Sequence, residues 1–180
     1  MPVASSGQRL WLITGTRYRH DIQHSAVFKL PDDVLIAIFT EVKNTNGWGL
    51  HSFVLCQVCR RWRTVARGAA GLWTTIDLSR AKKAKAFLSL SKDAPLVIIC
   101  QLYKEERLND LDCIWPNSHR FVKLSLSGSR WVVRRVMDSI GEDLPMLTIL
   151  SIHGDPLSTE TPLLAGFPTR FSNLVHLRLW

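Results

Sequence analysis

The sequence predicts a mainly α-helical, three-helix N-terminal module followed by an α/β solenoid in which short parallel strands alternate with helices. Apolar residues recur at a helical period between residues 30 and 66, and a six-residue strand pattern repeats at nearly constant spacing after residue 73. We therefore expect an unassigned extension over residues 1–28, a helical module over residues 29–72, and a strand-and-helix region over residues 73–180.

The helical module begins at Pro31, which suits the start of a helix, and the acids Asp32 and Asp33 complement the positive end of the helix dipole. A single apolar stripe at i, i+3, i+4 and i+7 follows: Leu35, Ile38, Phe39 and Val42. Turn-forming residues at 44–47 are expected to end this helix. Residues 50–66 keep the helical period, which predicts two further short helices packed at an angle.

The strand pattern is apolar-x-x-Leu-x-apolar, and it occurs as FVKLSL at 121–126, LTILSI at 147–152 and LVHLRL at 174–179. The central leucines are 26 and 27 residues apart, within the period of ~20–29 residues that is typical of leucine-rich repeats. One repeat earlier lies Ile98, and WTTIDL at 73–78 carries the pattern once more. These spacings predict five short parallel strands in one leucine-rich-repeat-like sheet.

Helices are expected between these strands, over residues 81–91, 103–115 and 130–140, with Gly141 as the C-terminal cap of the last one. Residues 154–168, rich in Pro, Ser and Thr, are expected to form a looser connection. A solenoid normally ends in a repeat with a polar outer face. Because the pattern instead ends on a strand, we expect the repeat region to be incomplete and the chain to be a fragment.

The composition indicates a globular chain, with 46% hydrophobic and 21% charged residues. The net charge of +8 favours acidic partners without choosing among them. No window is long and apolar enough to span a membrane, and no signal peptide is recognisable, so we expect a cytoplasmic or nuclear protein with free thiols. No arrangement of nucleophile, base and acid, and no phosphate-binding glycine motif, is present; we therefore predict no catalytic residue and no cofactor.

Three segments of the module, LPDDVL at 30–35, VCRRWR at 58–63 and LW at 72–73, together resemble the F-box family. Downstream, DAPL at 93–96 and SHRF at 118–121 are similar to F-box-like proteins of mushroom-forming (basidiomycete) fungi with irregular leucine-rich repeats. The resemblance implies that the module binds the Skp-type adaptor of a Skp-cullin-F-box ubiquitin ligase. It also implies that the repeats hold an unknown protein substrate for ubiquitination.

The resemblance carries eight positions over as residues that bind the adaptor: Leu30, Pro31, Leu35, Ile38, Leu55, Val58, Cys59 and Trp62. The chain departs from the family pattern at His51 and Ser52, where apolar or acidic residues are commoner. For each of the eight residues the competing interpretation is a core position, because apolar residues at helical spacing are usually buried.

Other functions compete with the adaptor interpretation. His20 with His24, and Cys56 with Cys59, have the spacing of metal ligands, but the cysteine pair lies on an amphipathic helical stretch, so we predict no metal site. A basic nucleic-acid-binding solenoid is the alternative suggested by the net charge and by the lysines at positions 82, 83 and 85. A repeat protein whose F-box has lost its partner is a further alternative.

Overall fold

The computed structural model describes residues 26–46, 51–102, 112–140, 144–153 and 171–179. The N-terminal part is helical. A 3-10 helix over Ala26–Lys29 is followed by helices α1 (Asp32–Asn46), α2 (His51–Val58) and α3 (Arg60–Gly68), and by a second 3-10 helix over Ala70–Trp73. The two short helices expected over residues 50–66 are therefore confirmed.

The remainder of the described chain is a parallel sheet with helices. Its elements, in chain order, are β1 (Thr75–Asp77), α4 (Ala81–Ser91), β2 (Leu96–Leu102), a 3-10 helix over Trp115–Arg120, β3 (Phe121–Gly128), α5 (Arg130–Ser139), β4 (Ile149–His153) and β5 (His176–Leu179). The strands lie in the sheet in their sequence order, and every neighbouring pair is parallel. Connections between parallel strands are right-handed as a rule, so we expect α4 and α5 on the same face of the sheet.

The register of the sheet confirms the spacing of the strand pattern. The central apolar positions form one continuous row across the sheet: Ile76, Ile98, Leu124, Leu150 and Leu177. Five parallel strands in one sheet are thus confirmed, as are the helices expected over residues 81–91 and 130–140, the second to within one residue. That the region is a leucine-rich solenoid stays a prediction.

Helix α1 differs from its predicted bounds at both ends. It begins at Asp32, and the carbonyl of Pro31 accepts the first helical hydrogen bond, from the Leu35 N–H. Pro31 therefore lies at the cap position just before the first turn. The turn-forming residues do not stop the helix before Asn46, and the hydroxyl of Thr45 donates to the Glu41 carbonyl one turn back, at 2.9 Å.

The prediction between β2 and β3 is wrong where the structure describes it. Residues 112–114 are a turn and residues 115–120 form a 3-10 helix, whose early Pro116 suits a helix start directly after the predicted end at residue 115. Trp115 is buried, as expected of an inward-facing residue. Residues 103–111, Gly141, the connection over 154–168 and residues 1–25 lie outside the described residues.

One hydrophobic core runs from the helical module into the sheet. Trp73 is fully buried, and its ring contacts Phe53 of α2 and Phe87 of α4, with centroid distances of 5.5 and 5.1 Å. Phe53 and Phe87 also stack on each other at 5.1 Å. Aromatic contacts of this kind stabilise by about 0.5–1.5 kcal/mol each beyond the area they bury. The core therefore crosses the boundary expected at residues 72 and 73.

Polar contacts hold the same junction. The Lys43 ammonium at the end of α1 donates to the Gly71 carbonyl at 2.7 Å and to the Thr74 hydroxyl at 2.9 Å. Burial lowers the pKa of Lys43, which agrees with a cation held against the protein rather than extended into water. The Ser52 hydroxyl, fully buried, donates to the Leu72 carbonyl at 3.0 Å.

A buried arginine organises the turn between α4 and β2. Arg120 is 7% exposed, and its guanidinium donates twice to the Ala94 carbonyl, at 2.7 and 3.1 Å, and once to the Ser91 hydroxyl at 3.0 Å. Burial lowers the pKa of Arg120, whereas Asp93 acts in the opposite direction. The guanidinium thus connects the 3-10 helix before β3 to the turn between α4 and β2.

The last strand of the sheet is covered less than the others. On the helix-facing side, Leu177 and Leu179 of β5 are 40% and 44% exposed, whereas their neighbours in register on β4, Leu150 and Ile152, are buried. Among the described elements, β5 packs mainly against β4. Exposed leucines beside an unpaired strand edge favour association with other chains.

We expect the chain to self-associate through this face. The double substitution Leu177→Ser and Leu179→Ser should lower the mass measured by light scattering toward that of a monomer. The matched control is His176→Ser with Arg178→Ser, since these residues alternate with the leucines on the same strand; it should leave the mass unchanged. A wild-type chain that stays monomeric at high concentration would contradict the expectation.

Candidate partner-binding surface

Helix α1 divides its apolar residues between the core and the surface. Leu35 and Phe39, four residues apart, are fully buried. Val34 and Ile38, also four residues apart, are both 38% exposed. At 100° per residue, the exposed pair borders the buried stripe along one side of the helix. Ile38, expected both in the apolar stripe and in partner binding, therefore lies at the surface.

Helix α2 repeats this division. Leu55 is buried, whereas Val54 and Val58, again four residues apart, are 56% and 45% exposed. Exposing a valine on a short helix is unremarkable when it occurs once. The two helices pack against each other, so both exposed pairs belong to one packed unit, and large exposed apolar patches on a folded chain indicate an interaction site.

An arginine of α3 positions the segment that leads into α1. The Arg61 guanidinium donates to the carbonyls of Phe28 and Leu30, and it pairs with the Asp32 carboxylate at 2.6 Å. Leu30 is thereby held half-buried against the core, while Pro31 beside it is exposed. The Arg61 contacts thus fix Leu30 and Pro31, two residues expected to bind the adaptor, and the sequence pattern did not indicate these contacts.

Helix α3 begins at a cysteine. The Cys59 sulfur accepts a hydrogen bond from the backbone N–H of Trp62 at 3.4 Å, so Cys59 is the N-cap of the helix. Trp62 is half-buried, and its ring lies 4.9 Å from that of Phe39. Its indole Nε1 is buried without a hydrogen-bond partner among the described residues. Both residues therefore have a structural role beside any role in binding.

The eight residues expected to bind a partner thus fall into three groups. Pro31, Ile38 and Val58 are exposed, whereas Leu30, Cys59 and Trp62 are half-buried. Leu35 and Leu55 are buried, so in this structure they support the surface from beneath, and their binding of a partner stays a prediction. The sequence analysis missed Val34 and Val54, because both lie beside the regular apolar stripe rather than on it. Val34 lies four residues before Ile38 and Val54 four residues before Val58, and this apolar i, i+4 spacing was the available signal.

The departure from the family pattern at Ser52 has a physical reason. Ser52 faces the core, and its hydroxyl bonds a carbonyl of the second 3-10 helix, so no polar group is left unpaired there. An apolar residue would fill the same space without that bond. The placement of the His51 side chain lies outside the described residues.

The structure also places the residues of the competing interpretations. Lys82 and Lys85 are exposed, but Lys83 is half-buried with its ammonium 5.6 Å from the centre of the Phe53 ring. Cys56 is half-buried, and burial raises the pKa of its thiol. Across the described ranges, no three His, Cys, Asp or Glu side chains come together as metal ligands would, and no helix has the length and apolar character to cross a membrane. His20 and His24 lie outside the described residues.

A second surface lies on the sheet, opposite α4 and α5. The residues of β3 that alternate with its buried leucines, Lys123, Ser125 and Ser127, are half-exposed, as are Thr75 and Asp77 of β1. The residues in register with Ser125 on the two neighbouring strands, Ile99 and Ser151, are buried, so the exposed part of this face is not continuous.

Comparison with known protein families agrees with the helical module. Residues 27–79 match the family described as F-box-like, a range that contains all three segments of the resemblance and extends through β1. F-box domains generally bind Skp-type proteins of cullin ubiquitin ligases and are adaptors rather than enzymes, so the match supports an F-box protein with an adaptor role. Neither the curated proteins nor the solved structures gave a match to the chain.

The division of α1 into core and surface residues predicts unequal costs of substitution. Phe39→Ala removes a buried ring that contacts Trp62, and it should lower the free energy of unfolding by about 3–5 kcal/mol. Ile38→Ala, one residue earlier, should cost less than about 1 kcal/mol because its side chain is already partly in water. Urea unfolding followed by circular dichroism measures both. Equal losses would show that Ile38 belongs to the core.

The thiols should differ in reactivity in the native chain. Burial, with a smaller effect from Asp77, raises the pKa of Cys100 to about 12, whereas Cys113 is exposed. Because the thiolate is the reactive form, iodoacetamide in mildly alkaline buffer should modify Cys113 and leave Cys100 intact until denaturant is added. Peptide mass spectrometry measures the modified fraction at each site. Equal modification of the two in native buffer would contradict this burial.

Proposed function

We propose that the chain is a non-catalytic F-box substrate-recognition adaptor, which binds the Skp-type subunit of a Skp-cullin-F-box ubiquitin ligase through its helical module and presents a protein target for ubiquitination. The observation that carries the proposal is the pair of exposed apolar i, i+4 positions on each of α1 and α2, within the F-box-like match. In this proposal the chain acts in the cytoplasm or the nucleus.

The energetics favour a protein partner at this surface. Apolar area removed from water stabilises a complex by about 25 cal/mol per Å², and the four exposed side chains are held on rigid helices, so little conformational entropy is lost on binding. Helices that lay apolar side chains into a groove are a common mode of protein recognition. In this arrangement Val34, Ile38, Val54 and Val58 are the anchors, with Pro31 and half-buried Leu30 beside them.

The target would bind the sheet region. Its even strand spacing supports a leucine-rich-repeat-like solenoid, in which repeats stack to form an extended surface. The face opposite α4 and α5 offers half-exposed polar residues such as Ser125 and Ser127. The same proposal includes a boundary between the F-box and the repeat region at residues 72 and 73. It also includes membership of the F-box-like proteins of basidiomycete fungi.

The nucleic-acid alternative has less support. The three lysines that suggested it do not form one free basic face, because Lys83 lies over an aromatic ring while Lys82 and Lys85 are exposed. The remaining alternative, an F-box that has lost its partner, predicts that the exposed apolar residues of α1 and α2 bind no adaptor.

Binding to a recombinant Skp-type adaptor tests the proposal, with the full chain immobilised for surface plasmon resonance. Val54→Ser with Val58→Ser should weaken the complex by about 100-fold, or ~2.8 kcal/mol. The matched control is Met146→Ser with Val175→Ser, two apolar residues exposed at the far end of the sheet. The control should bind like the wild-type chain. No binding by the wild-type chain, or an equal loss in both variants, would show that this surface is not the docking site.

A further inference from the structure

Helix α5 carries an exposed tryptophan at the centre of its outer side. The inner side of this helix is buried in the core, and its residues there are each at most 3% exposed: Val132, Val133, Val136 and Met137. At 100° per residue, Trp131 lies roughly opposite the mean direction of these four. Its side chain is 42% exposed. Because tryptophan is highly buried on average, an indole left in water on a packed helix is a candidate contact for a partner.

Two arginines and one acid share the outer side of α5 with Trp131. Arg134 and Arg135 follow it at i+3 and i+4, and Asp138 follows at i+7. All three therefore lie within about 60° of the tryptophan around the helix. All three are exposed. These four residues form one surface, which we call the α5 patch.

The α5 patch holds a cation that has no acidic partner among the described residues. The Nε of Arg134 lies 3.9 Å from a carboxylate oxygen of Asp138, a long and exposed ion pair. No described carboxylate lies within ion-pair distance of Arg135. Arginine stays charged at any physiological pH, and its planar guanidinium matches a carboxylate with two hydrogen bonds. The Arg135 charge is thus available to a partner.

The composition of the α5 patch favours a protein over a nucleic acid as that partner. Tryptophan and arginine are among the residue types that most often dominate the energy of protein interfaces. Nucleic acids present closely spaced phosphates, and the Asp138 carboxylate, about 20° around the helix from Trp131, would repel them. A protein segment can place an apolar side chain on the indole and an acid beside Arg135 while it keeps negative charge away from Asp138.

We propose that the α5 patch is a second protein-binding surface, whose partner is a peptide segment with an apolar side chain next to an Asp or Glu side chain. The inference rests on the proposed adaptor function only in assigning such a segment to the target. Burial of the Trp131 indole supplies most of the affinity, because its apolar area leaves the water. The pair between Arg135 and the carboxylate fixes the register of the segment. The patch lies on a different element from the candidate adaptor surface of α1 and α2.

A phage-displayed library of short random peptides tests the inference with the full chain. The library is first depleted on the Trp131→Ala variant and then selected on the wild-type chain, so that peptides bound to other surfaces are removed. Fluorescence polarisation gives the dissociation constants of synthetic copies of the recovered peptides. Circular dichroism verifies that each variant is folded. If Trp131→Ala does not fold, Arg135→Gln, at an exposed position, replaces it in the depletion.

We expect the recovered peptides to combine acidic with apolar or aromatic residues. Trp131→Ala should weaken their binding by about 30-fold and Arg135→Gln by about 10-fold, as for residues at the centre of an interface. The matched controls, Val175→Ala and Lys85→Gln, remove an exposed apolar side chain and an exposed charge from other elements. Both controls should bind the peptides like the wild-type chain.

Three outcomes overturn the inference. The first is that no peptide is recovered above the depleted background. The second is that the recovered peptides lack acidic residues, or that Lys85→Gln weakens binding as much as Arg135→Gln does, since the carboxylate contact would then be absent. The third is that short duplex DNA binds more tightly than the peptides and depends on Trp131 and Arg135, which would assign the patch to nucleic acid.

Binding of the same variants to the recombinant Skp-type adaptor separates this inference from the proposed function. Trp131→Ala should bind the adaptor like the wild-type chain, and a loss of adaptor binding in this variant would overturn the assignment of a separate surface. Failure of the peptides alone would leave the proposed function standing. Failure of adaptor binding by the wild-type chain, with the peptides still bound through Trp131, would overturn the proposed function and leave the α5 patch as a peptide-binding surface.

Discussion

The burial of Trp73 is the contact on which the rest of the structure depends. Its indole N–H donates to the Ala66 carbonyl at 2.8 Å, and its ring contacts Phe53 and Phe87, so one side chain joins α3, α2 and α4. β1 starts two residues later, in register with β2. The helical module and the sheet therefore share a core, and the orientation of α1 and α2 relative to the strands follows from that shared packing.

This packing also decides which apolar residues remain at the surface. Once Leu35 and Phe39 face the core from α1, and Leu55 from α2, the geometry of a helix leaves Val34 and Val54 one residue away, at about 100°, where the core does not reach. Trp62 fills the space over Phe39 instead of these valines. The candidate surface is thus a direct consequence of how three short helices bury a single stripe each.

The sheet was more predictable from the sequence than the candidate site. The strands carry their own signal, because the row from Ile76 to Leu177, which is buried as far as Leu150, has an apolar residue at a fixed place in every strand. On α1 and α2 the period indicates a stripe but not its centre, so buried Leu55 and exposed Val58 looked alike. The arginine contacts that hold Leu30, and the 3-10 helix before β3, depend on tertiary partners and left no local pattern.

The contacts at the junction also limit how far the helical module can move relative to the sheet. Lys43 at the end of α1 and Ser52 at the start of α2 each bond the 3-10 helix over Ala70–Trp73, directly before β1. A hinge would need at least one of these bonds, together with the aromatic cluster, to open, and the buried Ser52 bond would cost about 1–3 kcal/mol if it lost its partner. A target held on the sheet would therefore keep a fixed orientation relative to a partner bound at α1 and α2. In a ligase adaptor, such rigidity aligns the target with the enzyme by geometry alone, since proximity and orientation reduce the entropic cost of the transfer reaction.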